Sequence, residues 1–599
     1  MSNLMASFNA GVSGLQSAQA SLNTTAHNLA NAHTPGYVRQ QVLITDSFYQ
    51  NNMGQHNNLM QVGTGTVIVR TRQIRNTFLD ARYRLEFGRQ GFYEVNQNTA
   101  REIEDMLGEL EGESFLNSIT DLQRSLKSLA EDPSEIVYKD EMVSMATLFI
   151  QRAQEVRKEL NLYQTSLNSE VLRQVNAIND LVSKIREMNK QIQRYEIMGE
   201  SANDYRDKRN QYLDELGYYI DFETNEEKDG TITIYSQGQF LLEPSRQNFL
   251  SVEYESPTSW LLKPTWEGGG DYFRNKSLAY SSKAGTDIGT LRGLMVARGN
   301  YAANYTDTPV KPNEEDYASS RDYEIAMSQY EEEVKKYNEG VGASVVMSIQ
   351  SQLDMLVHGI VTMINDAFCK DKTLTLADGT TLRVLDEDNA WQGDDINSTI
   401  GTEVFSRRGY ERYKEVTLAD KDGNPLKDSE GNDLVDADGK PLTVKVYQEE
   451  DPADPGTLYS IVNLEVNPAL LKDSSRLPVM YNDKTGAKDG YVIELKEVVD
   501  SFENDIGTLN PNSLTTYNSL DFYQGMIEEL SVRGSVWNGV VSNQETTVTS
   551  IDTERQNVMG VSSEEELSDL IKFQRCYDAS SRYITTVAEM LEYLIERLG

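Results

Sequence analysis

Four histidines, two cysteines and an aspartate-rich stretch carry whatever metal or nucleophilic chemistry this sequence could perform. His27 and His33 stand six residues apart, neither the i+3 nor the i+4 spacing that puts two ligands on one helix face. With His56 and His358 they are expected to cap or pack rather than hold a metal. Cys369 and Cys576 lie far apart, and the second falls within a helical pattern, so neither a disulfide framework nor a thiolate metal site is expected. Both read as packed thiols.

The aspartates cluster in a small repeat, DGNPL (422–426), EGNDL (430–434) and DGKPL (438–442), whose glycines Gly423, Gly431 and Gly439 are eight residues apart. A calcium-binding EF-hand loop wants Asp at position 1 and Glu at position 12. Aligned on Gly439 those positions hold Leu434 and Lys445, and aligned on Gly423 the first is Leu418. The spacing predicts successive hairpin turns or a coiled β ribbon instead. No GxSxG, P-loop, HExxH or paired CxxC occurs, and GGGD (268–271) opens no helix. Carboxylates abound, but nothing singles out a pair for glycoside hydrolysis. No catalytic, cofactor-binding or metal residue is assigned, and the chain is not expected to be an enzyme.

Six arginines, Arg70, Arg72, Arg75, Arg82, Arg84 and Arg89, form the one basic concentration. The chain as a whole has 56 basic against 94 acidic residues, a net charge of −38, which repels nucleic acid and anionic membrane. The arginines are therefore expected to pair with acids of a neighbouring helix or subunit. No stretch reaches the ~18 apolar residues of a membrane helix. The start, MSNLMASFNAGVSGLQSAQ, lacks the basic region and apolar core of a cleaved signal peptide. The location expected is the cytoplasm, or the exterior by a route that reads no such signal.

The elements that would position these residues begin at the two ends. Phe8, Leu15, Leu22 and Leu29 recur every seven residues in a segment (3–31) without a single charge, suited to close packing on several sides. Leu570, Tyr577, Ile584, Leu591 and Leu598 repeat the same interval, with Phe573, Val587 and Leu594 in the second apolar position. Ser562 and Ser563, followed by Glu565 and Glu566, read as a capping box. Isolated helices are marginal in water. The ends are therefore expected to become ordered when many copies pack side by side.

Between the ends lies a helical body. One stripe runs Phe92, Val95, Ile103, Met106 and Leu110. A second runs from Phe115 to Leu129, capped at Ser114 and stopped by Pro133. A long helix is predicted over 139–198, about 90 Å at the helical rise, with a stutter between Leu167 and Val171. VIVRTRQI (67–74) and DGTITIYSQGQFLL (229–242) alternate as strands do, and 349–368 returns to helix. Residues 370–520 turn to Asp, Gly, Asn and Pro with short β runs, LTVKVY (442–447) and LYSIVNLEV (458–466), and read as a surface-projecting insert. More than one core is expected at 599 residues.

NLANAHTPGY (28–37) joins the first helix to this body. Small residues end the helix, Pro35 pushes Thr34 to an extended conformation, Gly36 frees the backbone and Tyr37 anchors the new direction. Asn28, Asn31, Thr34, Pro35, Gly36 and Tyr37 thus read as a hinge. This string, behind a Phe/Leu-striped helix, resembles the signature of the bacterial flagellar rod, hook and hook-associated proteins. GTGTVIVRTRQIRNTFLDARYR (63–84), ANDYRDKRNQYLDELG (202–217), IGTLRGLMVARG (288–299) and the last forty residues, 560–599, are similar to further segments of that family. Residues 300–345 and most of 370–520 are not, and look like insertions.

The resemblance implies a non-enzymatic structural subunit of the flagellum, expected at the hook–filament junction. Phe8, Leu15, Leu22, Leu29, Leu570, Phe573, Tyr577, Ile584, Val587, Leu591, Leu594 and Leu598 would form its assembly interface. Implied partners are other copies in a ring, the hook protein, a second hook-associated junction protein, a cytoplasmic export chaperone and the type III export apparatus. No nucleic acid or membrane insertion is implied, and the chain would be exported unfolded to the flagellum. The fold class expected is multidomain α+β, with terminal coiled-coil helices, a long helical rod domain and β-rich inserted outer domains. The division expected is 1–38 with 560–599 as the terminal domain, and 39–220 with 286–369 and 520–559 as a rod domain bearing a β hairpin. Residues 221–285 form a β-rich segment and 370–519 the inserted outer domain. The alternatives are a hook or rod subunit, a secreted hydrolase carried by the insert, or a glycan-binding domain using Trp260, Trp266 and Trp391.

Overall fold

The computed structural model describes residues 2–53, 59–107, 115–317, 319–421, 424–436, 438–482 and 490–598. For residues 2, 3, 50–53, 59, 60, 62 and 598 it describes the backbone course only. The chain opens with helix α1 (Ser2–Ala30) and an extended ribbon, β1 (Gln40–Asp46), β2 (Tyr49–Met53), β3 (Leu59–Gly63) and β4 (Thr66–Gln73). β1 pairs antiparallel with β4 across a bulge at Leu43/Ile44, and β2 pairs with β3. Helices α2 (Thr77–Leu107), α3 (Phe115–Glu131), α4 (Ile136–Glu196) and α5 (Asn203–Tyr219) follow. The cap predicted at Ser114 lies outside the described residues. Next come β5 (Glu223–Glu226), β6 (Ile232–Ser236) and β7 (Gln239–Leu242) in one sheet, and β8 (Leu250–Tyr254) with β9 (Leu262–Trp266) in another.

α4 is the spine, 61 residues without a glycine or proline, about 90 Å long. Its buried face, including Phe149, Leu160, Val171, Ile178 and Ile185, joins one continuous apolar core with Phe92 and Ile103 of α2 and Phe115 of α3. Three asparagines along it act as strand edges. Asn179 accepts from Leu250 N (2.9 Å) and donates to Leu250 O (2.8 Å). Asn189 does the same to Ile232, at 3.2 and 2.9 Å, and Asn168 accepts from Leu262 N at 2.8 Å. Amide side chains thus satisfy backbone groups that a sheet edge laid against a helix would leave buried and unpaired.

The second half continues with α6 (Thr290–Arg298), the acidic α7 (Ser320–Glu339) and α8 (Val345–Phe368). It then enters strands β10 (Asp371–Thr375), β11 (Thr381–Leu385), β12 (Phe405–Arg407), β13 (Tyr413–Thr417), β14 (Thr443–Tyr447) and β15 (Leu464–Val466). β10, β11, β14 and β13 form a sheet in that order. LYSIVNLEV was expected as a strand throughout, but only Leu464–Val466 is extended. Ser460 and Ile461 N turn aside to the buried Asp354 carboxylate of α8 at 3.1 and 2.8 Å. Short helices α9 (Pro468–Lys472) and α10 (Leu495–Asp500) and the hairpin β16 (Asp505–Thr508) with β17 (Thr516–Asn518) complete this part. Trp391, Phe405, Tyr459 and Phe502 belong to the same core as α4 and α8, so much of 370–519 packs inward. Trp266 and Trp391 are core residues, buried to 2% and 3% exposure, and only Trp260 is open.

The eight-residue repeat closes on itself. Leu426 N donates to Leu418 O (2.9 Å), Leu434 N to Leu426 O (2.8 Å), Leu442 N to Leu434 O (3.0 Å) and Leu418 N back to Leu442 O (2.8 Å). The turn aspartates face their own backbone, Asp428 Oδ1 accepting from Glu430 N and Asn432 N, and Asp436 Oδ1 from Asp438 N and Lys440 N. They work as Asx turns. Gly431 and Gly439 supply the positive φ, and Gly423 lies outside the described residues.

The chain ends in α11 (Ser519–Met559) and α12 (Ser563–Leu598). α2, α5 and α6 meet at glycines. Gly289 N donates to Gly88 O at 2.8 Å, and Gly289 has φ +87°. A Cβ there would lie 2.4 Å from Tyr219 O, and one at Gly88 would lie 2.4 Å from Gly217 O. Gly289→Ala is expected to cost about 2–4 kcal/mol of stability, read as a lowered denaturation midpoint. Gly268→Ala, with open space around it, should leave the midpoint in place.

Candidate assembly site at the joined chain ends

α1 and α12 pair antiparallel. Asn28 reaches Glu566, Gly14 lies against Ser580 and Gly11 against Ile584. A Cβ at Gly11 would come within 2.9 Å of Ile584, so the glycine sets how closely the helices approach. The buried residues of α1 are small or polar: Ala6, Gly11, Ser17, Ala18, Ser21, Thr25 and Asn28. The apolar stripes flank this seam. Phe8, Leu15, Leu22 and Leu29 are half-buried, as are Leu570, Phe573, Tyr577, Ile584, Leu591 and Leu594, while Val587 is buried. The Leu598 side chain lies outside the described residues. On its other side α1 carries the ribbon, with Thr66 N donating to Ser13 Oγ (3.1 Å) and the Ser17 and Thr66 hydroxyls 2.9 Å apart.

The hinge ties these helices to the body. Asn28 is buried and fully satisfied. Its Oδ1 accepts from the Tyr37 hydroxyl (2.7 Å) and Gln40 N (3.0 Å), and its Nδ2 donates to Gln40 O (2.9 Å) and Glu566 Oε2 (3.1 Å). Asn31 Nδ2 donates to His27 O (3.0 Å), and the Thr34 hydroxyl donates to Asn31 Oδ1 (3.2 Å), closing the helix end. Pro35 O accepts from Gln211 of α5, and Gly36 turns with φ +75°. Arg39 N donates to Met559 O (2.8 Å), and its guanidinium meets Glu566 at 2.7 Å and Glu565 at 2.9 Å. Of the predicted capping box, Ser562 Oγ accepts from Glu565 N at 3.4 Å, but both glutamates turn to Arg39 instead of back to the cap.

A second cluster lies beneath. Asp207 of α5, inside the ANDYRDKRN string, accepts from Val38 N (3.2 Å) and Gln73 Nε2 (2.7 Å). Burial pushes its carboxyl up to about 7, against the pull of the Val38 amide, Arg75 at 3.9 Å and Gln73. The Tyr37 hydroxyl is raised by burial and by Asp207, Asp204 and Glu566 around it. Arg75 then meets Asp80 (2.5 Å), Asp80 meets Arg555 of α11 (3.0 Å), Arg555 meets Asp214 (2.7 Å) and Asp214 meets Arg84 (2.7 Å). Arg555 also lies over the Tyr83 ring at 4.2 Å. Polar clefts of 460 and 600 Å³ flank the hinge, one floored by Asp207 and Arg555, the other by Arg39 and Glu565.

Of the side chains weighed for chemistry, His27 and His33 lie at the hinge and the others elsewhere. His27 Nδ1 lies 2.9 Å from the Tyr37 hydroxyl, and His33 is exposed. His358 lies 3.0 Å from Glu450 and stacks on Tyr305, while His56 is outside the described residues. Cys369 is buried, but Cys576, expected to pack, is exposed on α12. Among the described residues no group of three His, Cys, Asp or Glu side chains could hold a metal. No described helix is long and apolar enough to cross a membrane. Arg39, Glu566 and Asp207 were missed as site residues. The one available signal was the placement of Arg39 directly behind the hinge string and of Asp207 within a second string of the same family.

The joined helical ends and the helical rod each match a domain of flagellar proteins. Residues 8–37 match the family model described as flagella basal body rod protein, and 555–597 the flagellar basal body rod FlgEFG protein C-terminal model. Residues 100–367 match the flagellar hook-associated protein FlgK helical domain. Flagellar hook-associated protein 1 of Bacillus subtilis is 24% identical over 98% of this chain and 96% of its own length. That of Escherichia coli is 20% identical over 98% of both. The solved hook junction protein FlgK of Burkholderia pseudomallei aligns over 80% of this chain and all of its own, with 11% identity and a TM-score of 0.46. Over nearly its whole length the chain is thus similar to flagellar hook-associated protein 1.

The Asp207 carboxyl gives a pH test. A carboxyl raised from 3.8 to about 7 keeps its proton in the folded state after the unfolded chain has lost it. Stability therefore falls as pH rises between those values and levels above them. Asp207→Asn should flatten that fall, a difference on the order of 2 kcal/mol, measured as denaturation midpoints at pH 4 and pH 8 for both proteins.

Proposed function

We propose that this chain is a structural subunit of the flagellum that joins hook to filament. The observation that carries the reading is the antiparallel pairing of the two chain ends, whose apolar stripes remain half-open in a single copy. Side chains left in that state are covered when copies stand side by side. In this reading α1 and α12 form the inner layer of a ring, the helices around α4 the middle layer, and the β-rich segments face outward. The hinge from Asn28 to Tyr37 sets the angle between the first two.

The hook protein lies on one side of the ring and a second junction protein on the other. The chain is exported unfolded through the type III apparatus, with a cytoplasmic chaperone covering α12, and works outside the cell as a building element. Full order in α1 and α12 then belongs to the assembled state. Amide exchange in dilute protein should be fast in both helices and slow in α4; equal protection throughout would count against this ordering step.

Cells lacking the chain should show hooks without filaments by electron microscopy. Absence of hooks would assign a rod or hook subunit instead. Leu591→Asp puts a charge on the half-buried stripe of α12. It is expected to weaken chaperone binding at least about tenfold by calorimetry and to abolish filament attachment, while the near-ultraviolet dichroism of the body stays unchanged. Normal motility of that variant would contradict the role given to the stripe.

A further inference from the structure

The six arginines of residues 70–89 divide into two groups. Arg75, Arg84 and Arg89 are spent inside the chain, on Asp80, on Asp214 and on Glu86 with Asp287. Arg70, Arg72 and Arg82 are exposed. Arg72 donates only to Gln41 Oε1 (3.0 Å), and among the described residues no acid pairs with any of the three. On the same ribbon face as Arg70 and Arg72, Val67 stands open at 48% exposure, and one turn before Arg82 on the same face of α2, Phe78 stands open at 69%. A basic and apolar face on a chain of net charge −38 is not a solvated surface by default.

The same molecule carries its complement. On the side of α12 turned from α1, Glu589, Glu592 and Glu596 are exposed and make no ion pair among the described residues. Met590 and Tyr593 stand open beside them, each at 55%, with the exposed Arg597 over the Tyr593 ring at 5.1 Å. Within one copy these faces are kept apart, because the ribbon and α12 pack on α1 from different sides. Two complementary but different surfaces on one subunit make a head-to-tail contact, which runs on from copy to copy until it closes in a ring or winds into a helix.

We propose that the basic outer face of the ribbon and of the start of α2 is the docking surface for the acidic outer face of α12 in the next copy of this chain. The apolar side chains supply the attraction. The charges fix partner and register, since exposed pairs add specificity more than affinity. The proposal rests on the chain being an axial subunit and names the contact by which its copies join.

The experiment is a charge exchange in full-length chains expressed in place of the native copy. Arg70→Glu, Arg72→Glu and Arg82→Glu together should be exported and folded, with about tenfold fewer filament-bearing cells. Glu589→Lys, Glu592→Lys and Glu596→Lys together should do the same. The six substitutions in one chain should restore attachment to near the unaltered level. Normal attachment with either triple variant overturns the proposal. So does a failure of the combined chain to regain it, which would assign the basic face to a different protein. Neither result touches the junction reading, which falls if cells without the chain still hold their filaments.

Discussion

The arrangement of this molecule depends on one buried carboxylate. Glu566, in the first turn of α12, is 2% exposed and takes hydrogen bonds from Asn28 at the end of α1 and from Arg39 at the start of the ribbon. An uncompensated charge so placed costs several kcal/mol. The carboxylate therefore holds only if both partners are in place, and that requires the two ends of the chain to lie side by side in a single register. α1 needs such a lock. Its buried seam is alanine, glycine, serine and threonine, which pack closely but pack almost as well one turn further along. A buried carboxylate that has both of its partners in one register and not in any other removes that freedom.

The rod is built on the opposite plan. α4 and its neighbours bury large side chains on every turn, and the sheets are clasped to α4 through Asn168, Asn179 and Asn189, each reading the backbone of a strand or strand end. The body thus carries its own stability. The chain ends carry specificity and leave apolar side chains half-open. The contrast matches an element whose rigid part exists before assembly and whose contact surfaces are finished by it.

Much of this was legible in the sequence because it rests on periodicity. The interval of seven in Leu570 to Leu598 and the unbroken pattern through α4 need no tertiary knowledge. The turn function of the eight-residue repeat also follows locally, since an aspartate two to four residues ahead of a free amide satisfies it whatever lies around. The leucines of α1 were legible as a stripe but not as the flank of a seam made by Ser17, Ser21 and Thr25, because small residues give no hydrophobic signal. Arg39 and Asp207 were hidden for a different reason. Their partners lie hundreds of residues away in Glu566 or across the hinge at Val38, and no spacing rule connects them. Cys576 was misjudged because a helical pattern shows that a face exists, not that anything covers it.

The joint between ends and rod shows why charge was used where apolar packing would have been simpler. From Arg75 through Asp80, Arg555 and Asp214 to Arg84, acids and bases alternate across α2, α5 and α11, each carboxylate held between two guanidinium groups. An apolar contact tolerates sliding, because its energy follows area and not direction. A guanidinium fork tolerates little, because its hydrogen bonds fade within a few tenths of an ångström and a few tens of degrees. A row of such contacts beneath the Gly36 turn lets the chain bend at one place and fixes the angle at which it does so. Once the terminal helices are ordered, their direction relative to the rod is then set by the fold and is the same in every copy, which is the condition for identical subunits to close a ring.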